Sequence, residues 1–375
     1  MPKSLFRRLT KKFFIVSNSI LAVLFLLGCY GGLFNPQYFW PLGFLTLASF
    51  YLLIFLLLFI FFWLFVKARL SLISIIAISL AYKPVSNIIP FRFSTLFVKQ
   101  KPVAALRIMS WNVEHFDILE HKTHPEKKQQ MLELINEYQP DIAVFQEMVG
   151  SDNLPKAINY IPDIIQQEQF TGYHYSYNTK LDFDENHHFG IITFSKYPII
   201  NKQTINFYPY DYNSIFQYTD IVKEADTFRV FNIHLQSLKF SSTNLQYIDK
   251  PTITDEEDLK KSKSVISKLK KGFLKRKIQS ERIKAEMDKS PYPVIVCGDF
   301  NDVPNSYAYT TIGKGMKNAF AEKGSGISRT FSGISPMLRI DNIFVGKAFL
   351  VEQFTRVNKK LSDHFPIIAD VQLKK

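Results

Sequence analysis

Cysteine is nearly absent: Cys29 and Cys297 are the only two in 375 residues, far apart and each in apolar company. That excludes a disulfide framework and a Cys-based zinc site, and no disulfide-linked partner is implied. A chain without disulfides is compatible with either side of a membrane. Asp and Glu are missing altogether from residues 1–106, which carry eleven Lys and Arg. Those eleven supply most of the net +13, since residues 107–375 hold 35 bases against 33 acids. The basic balance therefore does not by itself indicate nucleic acid. It marks the flanks of an apolar region, where Lys and Arg commonly set membrane orientation. Also absent are a Walker-type Gly-rich loop, a Ser or Cys in a nucleophile elbow, an internal repeat and a low-complexity segment. P-loop nucleotide chemistry and covalent Ser/Cys catalysis are thereby set aside.

What is present begins with long apolar runs. Phe13–Phe34 is interrupted by Ser17, Asn18 and Ser19; Leu42–Val66 has no charge; Leu70–Ile89 carries Lys83 and Pro84. A helix of ~20 apolar residues crosses a bilayer, so residues 1–90 are expected to be a membrane region with two or three transmembrane helices, at 13–34, 42–66 and 70–89. The second run is apolar on every face, which no surface helix of a soluble protein is. "LLGC" at 26–29 faintly resembles a lipoprotein cleavage box, but the apolar stretch continues past Cys29 and a second run follows at once. Tyr38, Phe39, Trp40 and Trp63 stand where interfacial aromatics belong. Lys3, Arg7, Arg8, Lys11 and Lys12 precede the first run, Lys67 and Arg69 follow the second, and the loop 35–41 between them is uncharged. The positive-inside rule puts those bases in the cytoplasm. With the weaker third run also spanning, the expectation is a multi-pass membrane protein, the lipid bilayer its partner, with an extracytoplasmic catalytic domain. Arg92, Lys99 and Lys101 argue the other way.

Residues 91–106, bounded by Pro90 and Pro102, read as a linker, and residues 107–375 as one domain. "LRIMSWNV", "PDIAVFQE", "GIITFS", "TFRVFNIHL", "VIVCGDF", "RIDNIFV" and "PIIADVQL" read as strands. "KKQQMLELINEYQ" reads as an amphipathic helix with Met131, Leu132, Leu134 and Ile135 inward. Strands interleaved with helices indicate an α/β sandwich. An unusual segment, 239–289, separates two strands. It is read as a basic helical insertion with Gly272 as a candidate break, and its residues 259–289 hold twelve Lys and Arg against three acids. It is either a solvated face or a contact for an anionic surface, lipid headgroups or phosphate.

Polar residues gather at the ends of the apolar strands. Asn112 follows "MSW", Glu147 follows "AVFQ", His234 lies in "FNIHLQS", Asp299 and Asn301 in "CGDFND", Asp341 in "RIDNIFV", and Asp363 with His364 in "SDHFP". Each alone has a bland explanation as a turn, a cap or a packed His. Together they put carboxyls, amides and imidazoles where strand ends of one sandwich converge. Oxygen donors without Cys favour a hard cation, Mg2+ or Mn2+. Such a cation with two His donors and an Asp base suits water attack on a phosphoester.

These segments, in this order, resemble the endonuclease/exonuclease/phosphatase family over about 107–375. The resemblance implies a four-layer α/β sandwich with two central mixed sheets flanked by helices. It implies that Glu147 is the principal metal ligand with Asn112 in the metal and phosphate site, and Asp363 an auxiliary acid on the metal side. It implies that Asp299 is the base, with Asn301 orienting it, that His234 and His364 donate to the scissile phosphate, and that Asp341 holds His364 in position. The expected activity is a membrane-anchored, divalent-metal-dependent phosphodiesterase. Nucleic acid is favoured as substrate by the number of nucleases in the family, and a phospholipid or phosphoinositide by the anchor. The rival of another class is a non-catalytic, membrane-tethered phosphate-binding module.

Overall fold

In the computed structural model, which describes residues 2–92, 97–152, 157–182, 184–207, 215–252, 255–335 and 337–374, twelve strands form two sheets. Residues 93–96 of the expected linker and 253–254 of the expected insertion lie outside the described residues. The first sheet contains β1 (Leu106–Asn112), β2 (Ile142–Gly150), β3 (Gly172–Tyr177), β4 (His188–Ser195), β11 (Phe349–Arg356) and β12 (Ile367–Leu373), in the order β11-β12-β1-β2-β4-β3. The second contains β5 (Ile199–Asn206), β6 (Ile215–Lys223), β7 (Asp226–His234), β8 (Val294–Asp299), β9 (Met316–Asn318) and β10 (Asp341–Gly346), in the order β5-β6-β7-β8-β10-β9. Both sheets are mixed: β1–β2 and β7–β8 are parallel pairs among antiparallel ones.

Alternation of apolar side chains builds the layers. Ile108, Val144, Val230, Ile295 and Ala369 face inward between the sheets. Met109, Phe145 and Ile368 face outward, against Met131, Leu134 and Ile135 of the helix Pro125–Tyr138. On the far side Phe231 and Val296 meet Ile283 and Met287 of the helix Glu256–Asp288. The result is helix, sheet, sheet, helix: the four-layer sandwich. Parallel pairing brings the carboxyl ends of β1, β7 and β8 to one end of it, and the register sets Asp299 beside both His234 and Asp341.

The insertion is helical, but Gly272 does not break it. One helix runs from Glu256 to Asp288, and Gly272 serves close packing instead: a Cβ there would collide with Leu238 Cδ2. Arg276 in this helix is buried; its Nε donates to Asp302 Oδ2 at 2.9 Å and its Nη1 to the Gln236 carbonyl at 3.0 Å. The basic helix is thus latched to the loops that follow β7 and β8.

Among the described residues two helices, Leu5–Cys29 and one starting at Pro41, are long and apolar enough to cross a membrane. The expected third span, 70–89, is not a single helix. Helices Leu72–Leu80 and Tyr82–Ile88 are separated at Ala81. Pro84 has no N–H to give the Leu80 carbonyl, and the Tyr30 hydroxyl donates to that carbonyl instead, at 2.6 Å. Ser74 Oγ donates to Asn18 Oδ1, 2.8 Å, so the broken segment runs alongside the first helix and in the same direction. It ends against the sandwich, where Asn87 Nδ2 donates to Asn305 Oδ1 at 2.9 Å and Asn305 Nδ2 to the Pro84 carbonyl at 3.0 Å. Gly32 presses on the same loop; a Cβ there would collide with the Asn305 carbonyl oxygen.

One buried acid has a stability consequence. Glu168 ends the helix Ile161–Glu168, is buried, and its Oε1 has no hydrogen-bond partner among the described residues. Burial pushes its carboxyl from 4.5 up to about 7, with Lys196 opposing. Below pH 4.5 the group is protonated folded and unfolded, and costs nothing. As pH rises from 4.5 to 7 the unfolded chain ionises first, and above 7 the folded state bears the full cost. Glu168→Gln should therefore stabilise the protein at pH 8 by about 1–2 kcal/mol, allowing for solvent screening, and remove the stability the wild type gains between pH 8 and pH 5. Thermal unfolding at the two pH values measures this, and equal pH dependence in both proteins would contradict it.

Candidate active site

The site is built where β1, β2, β7 and β8 end and β10 begins. Asn112 closes β1 and is buried; its Nδ2 donates to Asp299 Oδ2 at 3.3 Å, and Ser362 Oγ donates to its carbonyl at 2.8 Å. Glu147 lies in β2 at a bulge between Phe145 and Met148, with φ +54°. A non-glycine residue in that region is strained, and bulges re-aim side chains next to functional sites. Glu147 is half-buried, bonded to Asn112, and its Oε1 is 3.6 Å from His234 Nε2. Burial pushes its carboxyl up to about 7 against the pull of Asn112 and His364.

Asp299 is at the centre. Its Oδ1 accepts from the Asn301 backbone N–H at 2.7 Å, and its Oδ2 from Asn301 Nδ2 at 3.1 Å. Asn301, at φ +48°, also donates from Nδ2 to the Leu235 carbonyl, 2.9 Å, which ties the loop after β8 to the end of β7. His234 Nε2 lies 3.5 Å and His364 Nε2 3.7 Å from Asp299 Oδ2. Burial raises the Asp299 carboxyl above the usual range, His364 opposing.

The two imidazoles are unlike. His234 is buried, and among the described residues neither ring nitrogen has a hydrogen-bond partner. Burial, aided by His364, lowers it to about 3, so it is neutral near pH 7. His364 Nδ1 donates to Asp341 Oδ2 at 2.8 Å. Burial works against its charged form, but Asp341 and Asp299 prevail and hold it well above its ordinary value. Asp341 Oδ1 is buried without a hydrogen-bond partner among the described residues.

All eight residues expected from the sequence are thus gathered at one place, with Asp363 on the rim, its side chain 43 % exposed and its Oδ1 4.0 Å from His364 Nε2. The sequence reading missed the residues that hold them. Glu114 Oε2 accepts from the Asp363 N–H at 2.9 Å. Thr330 Oγ1 accepts from the Ile340 and Asp341 N–H groups at 2.9 and 3.0 Å, and Trp111 Nε1 donates to the His364 carbonyl at 3.0 Å. Trp111 and Ser362 stand inside the quoted motifs; nothing near Thr330 marked it.

The donor set fits a divalent cation. The carboxyls of Glu114, Glu147, Asp299, Asp341 and Asp363 gather around one cationic imidazole, and burial has raised three of them, Glu114, Glu147 and Asp299, where a cation would lower them. Among the described residues, Asp299, Asp341 and His364 have ligand atoms within 4.8 Å of one another and could hold a metal. Their proximity is already accounted for by the His364–Asp341 hydrogen bond. The oxygens of Glu147 and Asn112 suit a hard cation better.

The family model for endonuclease/exonuclease/phosphatase proteins matches residues 109–364. The chain belongs to this family. A second family model, a domain of unknown function, matches residues 11–88. No curated protein matches the chain. Among solved structures, a family protein from Beutenbergia cavernae is 17% identical with a TM-score of 0.51, over 72% of this chain and 72% of that one. A family protein from Bacteroides vulgatus is 19% identical with a TM-score of 0.48, over 72% of this chain and 99% of its own. TDP2 from D. rerio, complexed with a single-strand DNA product, is 15% identical with a TM-score of 0.49, over 72% and 99%. As a member of the endonuclease/exonuclease/phosphatase family, the protein has the fold of hydrolases that act on phosphoester bonds and typically depend on a divalent metal.

Proposed function

We propose that the protein is a membrane-anchored, divalent-metal-dependent phosphodiesterase. The observation that carries this reading is the convergence of a buried Asp299, held by Asn301 and Asn112, with one neutral and one cationic imidazole. Glu147 and Asn112 hold the cation, with Asp363 beside it. Bound there, Mg2+ or Mn2+ supplies Lewis-acid neutralisation of charge on the phosphate. Asp299 orients a water and takes its proton, and burial has raised its basicity for that task. His364, kept protonated and aimed by Asp341, and the N–H of His234 donate to phosphate oxygens as charge develops on them. Among the described residues His234 has no competing hydrogen-bond partner, which leaves its N–H for that role. A non-catalytic binding module has no use for a raised base beside a cationic donor.

Two substrate classes have support. The lysines along the helix Glu256–Asp288 favour a polyanion such as nucleic acid, and the docking of the apolar helices on the loop after β8 favours a lipid. Turnover of a generic phosphodiester, bis(para-nitrophenyl) phosphate, by the full chain with Mg2+ tests the reaction. Hydrolysis of the diester in preference to the monoester is expected, and no hydrolysis of either would overturn the proposal.

The anchor is read as three passages with the third broken at Ala81. This is supported by the Ser74–Asn18 and Tyr30–Leu80 contacts, which lead the chain toward the sandwich at the end away from Arg7, Arg8, Lys11 and Lys12. With those bases cytoplasmic, the active site is extracytoplasmic. A reporter active only outside the cytoplasm, fused after Lys375, should score positive, and a cytoplasmic readout would contradict this topology.

A further inference from the structure

A cavity of about 370 Å³ lies between the apolar helix Pro41–Lys67 and the sandwich. Its walls come from the loops that carry the site. Leu238 and Phe240 follow His234 in the loop after β7; Val303 and Pro304 follow Asp299 and Asn301 after β8; Met337 and Leu338 precede Asp341. The last of these loops also touches the rim acid and the cationic imidazole. The Ser332 N–H donates to the Asp363 carbonyl at 2.7 Å, and the Phe331 ring lies 5.1 Å from that of His364. The remaining wall is Leu47 and Phe50 of the apolar helix, with Val265 and Leu269 of the basic helix.

The few polar groups in this lining are already satisfied. Thr46 Oγ1 donates to the Gly28 carbonyl at 2.9 Å, Ser49 Oγ to the Thr46 carbonyl at 2.7 Å, and the hydroxyls of Tyr51 and Ser335 pair at 2.9 Å. Nothing in the cavity asks for a phosphate, a sugar or a base. Its volume is in the ~300–1,000 Å³ range of ligand sites, and a hydrocarbon chain is the occupant its chemistry fits. The way in is also apolar. From Leu47 the same face of the helix continues through Tyr51, Ile54 and Leu58 at helical spacing, and these are 43%, 39% and 57% exposed. A cation stands against the cavity wall: Lys268 Nζ is 6.0 Å from the centre of the Phe240 ring.

We propose that this cavity is an acyl-chain site and that the substrate is a phosphodiester lipid drawn from the bilayer that holds the anchor. One chain leaves the hydrocarbon along the Leu58–Leu47 face and lodges against Val265 and Leu269, which sets the phosphate over Asp299 and His364. The proposal rests on the phosphodiesterase reading above and specifies its substrate. Water's oxygen bonds to phosphorus, one ester P–O bond breaks, and the departing oxygen leaves as an alcohol carrying a proton. The product is a phosphate monoester.

The test uses the full chain in nanodiscs with Mg2+ and two phosphodiesters, butyl and dodecyl para-nitrophenyl phosphate. The wild type should prefer the dodecyl ester in kcat/KM by about tenfold or more, as burial of added methylenes dictates. Val265→Trp and, separately, Leu269→Trp fill the cavity, and each should reduce that ratio roughly fivefold or more. A dodecyl phosphonate diester with a terminal diazirine should crosslink within 47–51, 265–269 or 337–338, less so in the filled variants. That readout does not depend on turnover. An unchanged ratio in both variants, crosslinks scattered along the exposed faces of the apolar helices, or faster cleavage of a DNA oligonucleotide than of the dodecyl ester would each overturn the proposal. If neither ester is hydrolysed, it is the phosphodiesterase reading that fails, and the crosslinks alone decide the cavity.

Discussion

Asp299→Asn is expected to lower phosphodiester turnover by ~10²-fold or more, the scale on which a general base contributes. The change keeps size and shape but removes the atom that takes the proton. It also turns one oxygen into an amide facing two amide donors, since Asn301 Nδ2 and Asn112 Nδ2 both point at Oδ2. The loss should fall on kcat, because a base acts on water in the transition state rather than on substrate in the ground state. The fold should persist: Asp299 ends its strand, and the cores on either side of the sheets are made by other residues. A circular-dichroism spectrum and melting temperature close to wild type, together with the kinetic loss, is the expected pair of results. Near-normal turnover would remove Asp299 from the role of base.

His364→Ala should cost a similar ~10²-fold, the usual effect of deleting one electrostatic donor to a developing oxyanion. Asp341→Asn separates donating from positioning. Asp341 touches His364 Nδ1 and is placed by Thr330, so losing its charge leaves the imidazole present but no longer held as a cation. About a tenfold loss is expected, with the optimum moved to lower pH, where His364 would still be protonated. An Asp341→Asn variant with the wild-type pH profile would show that this carboxyl does not govern the charge of His364.

The chemistry was more legible in the sequence than the architecture that supports it. Strand-end polar residues break an apolar pattern; register sets His234, Asp299 and Asp341 side by side and the end of β1 at Asn112 beside β2, while Asn301, Asp363 and His364 reach the site from loops. The helix Pro125–Tyr138 was equally plain, since Met131, Leu132, Leu134 and Ile135 repeat at helical spacing and all are buried. Strand β5 was not, because "IINKQTIN" is an edge strand pairing only with β6 and mostly exposed, with few apolar positions to betray it. Gly272 misled for the opposite reason. A glycine costs a helix about 1 kcal/mol relative to Ala, but the close approach of Leu238 outweighs local propensity. The cavity could not be read at all, since it forms between a helix at 41–67 and loops some two hundred residues later. Pro84 announced a weakness in the third apolar run; that a tyrosine from the first helix takes over the freed carbonyl is a long-range fact.

A divalent cation held at Glu147 and Asn112 is expected to work with Asp299 on a phosphodiester. The most direct measurement is hydrolysis of bis(para-nitrophenyl) phosphate by the full chain after treatment with EDTA and dialysis, then titration with Mg2+ or Mn2+. Turnover should vanish with the chelator and return with either ion, and Glu147→Gln should demand a higher ion concentration to reach half its maximum. Turnover unaffected by the chelator, or restored equally well in wild type and Glu147→Gln, would contradict it.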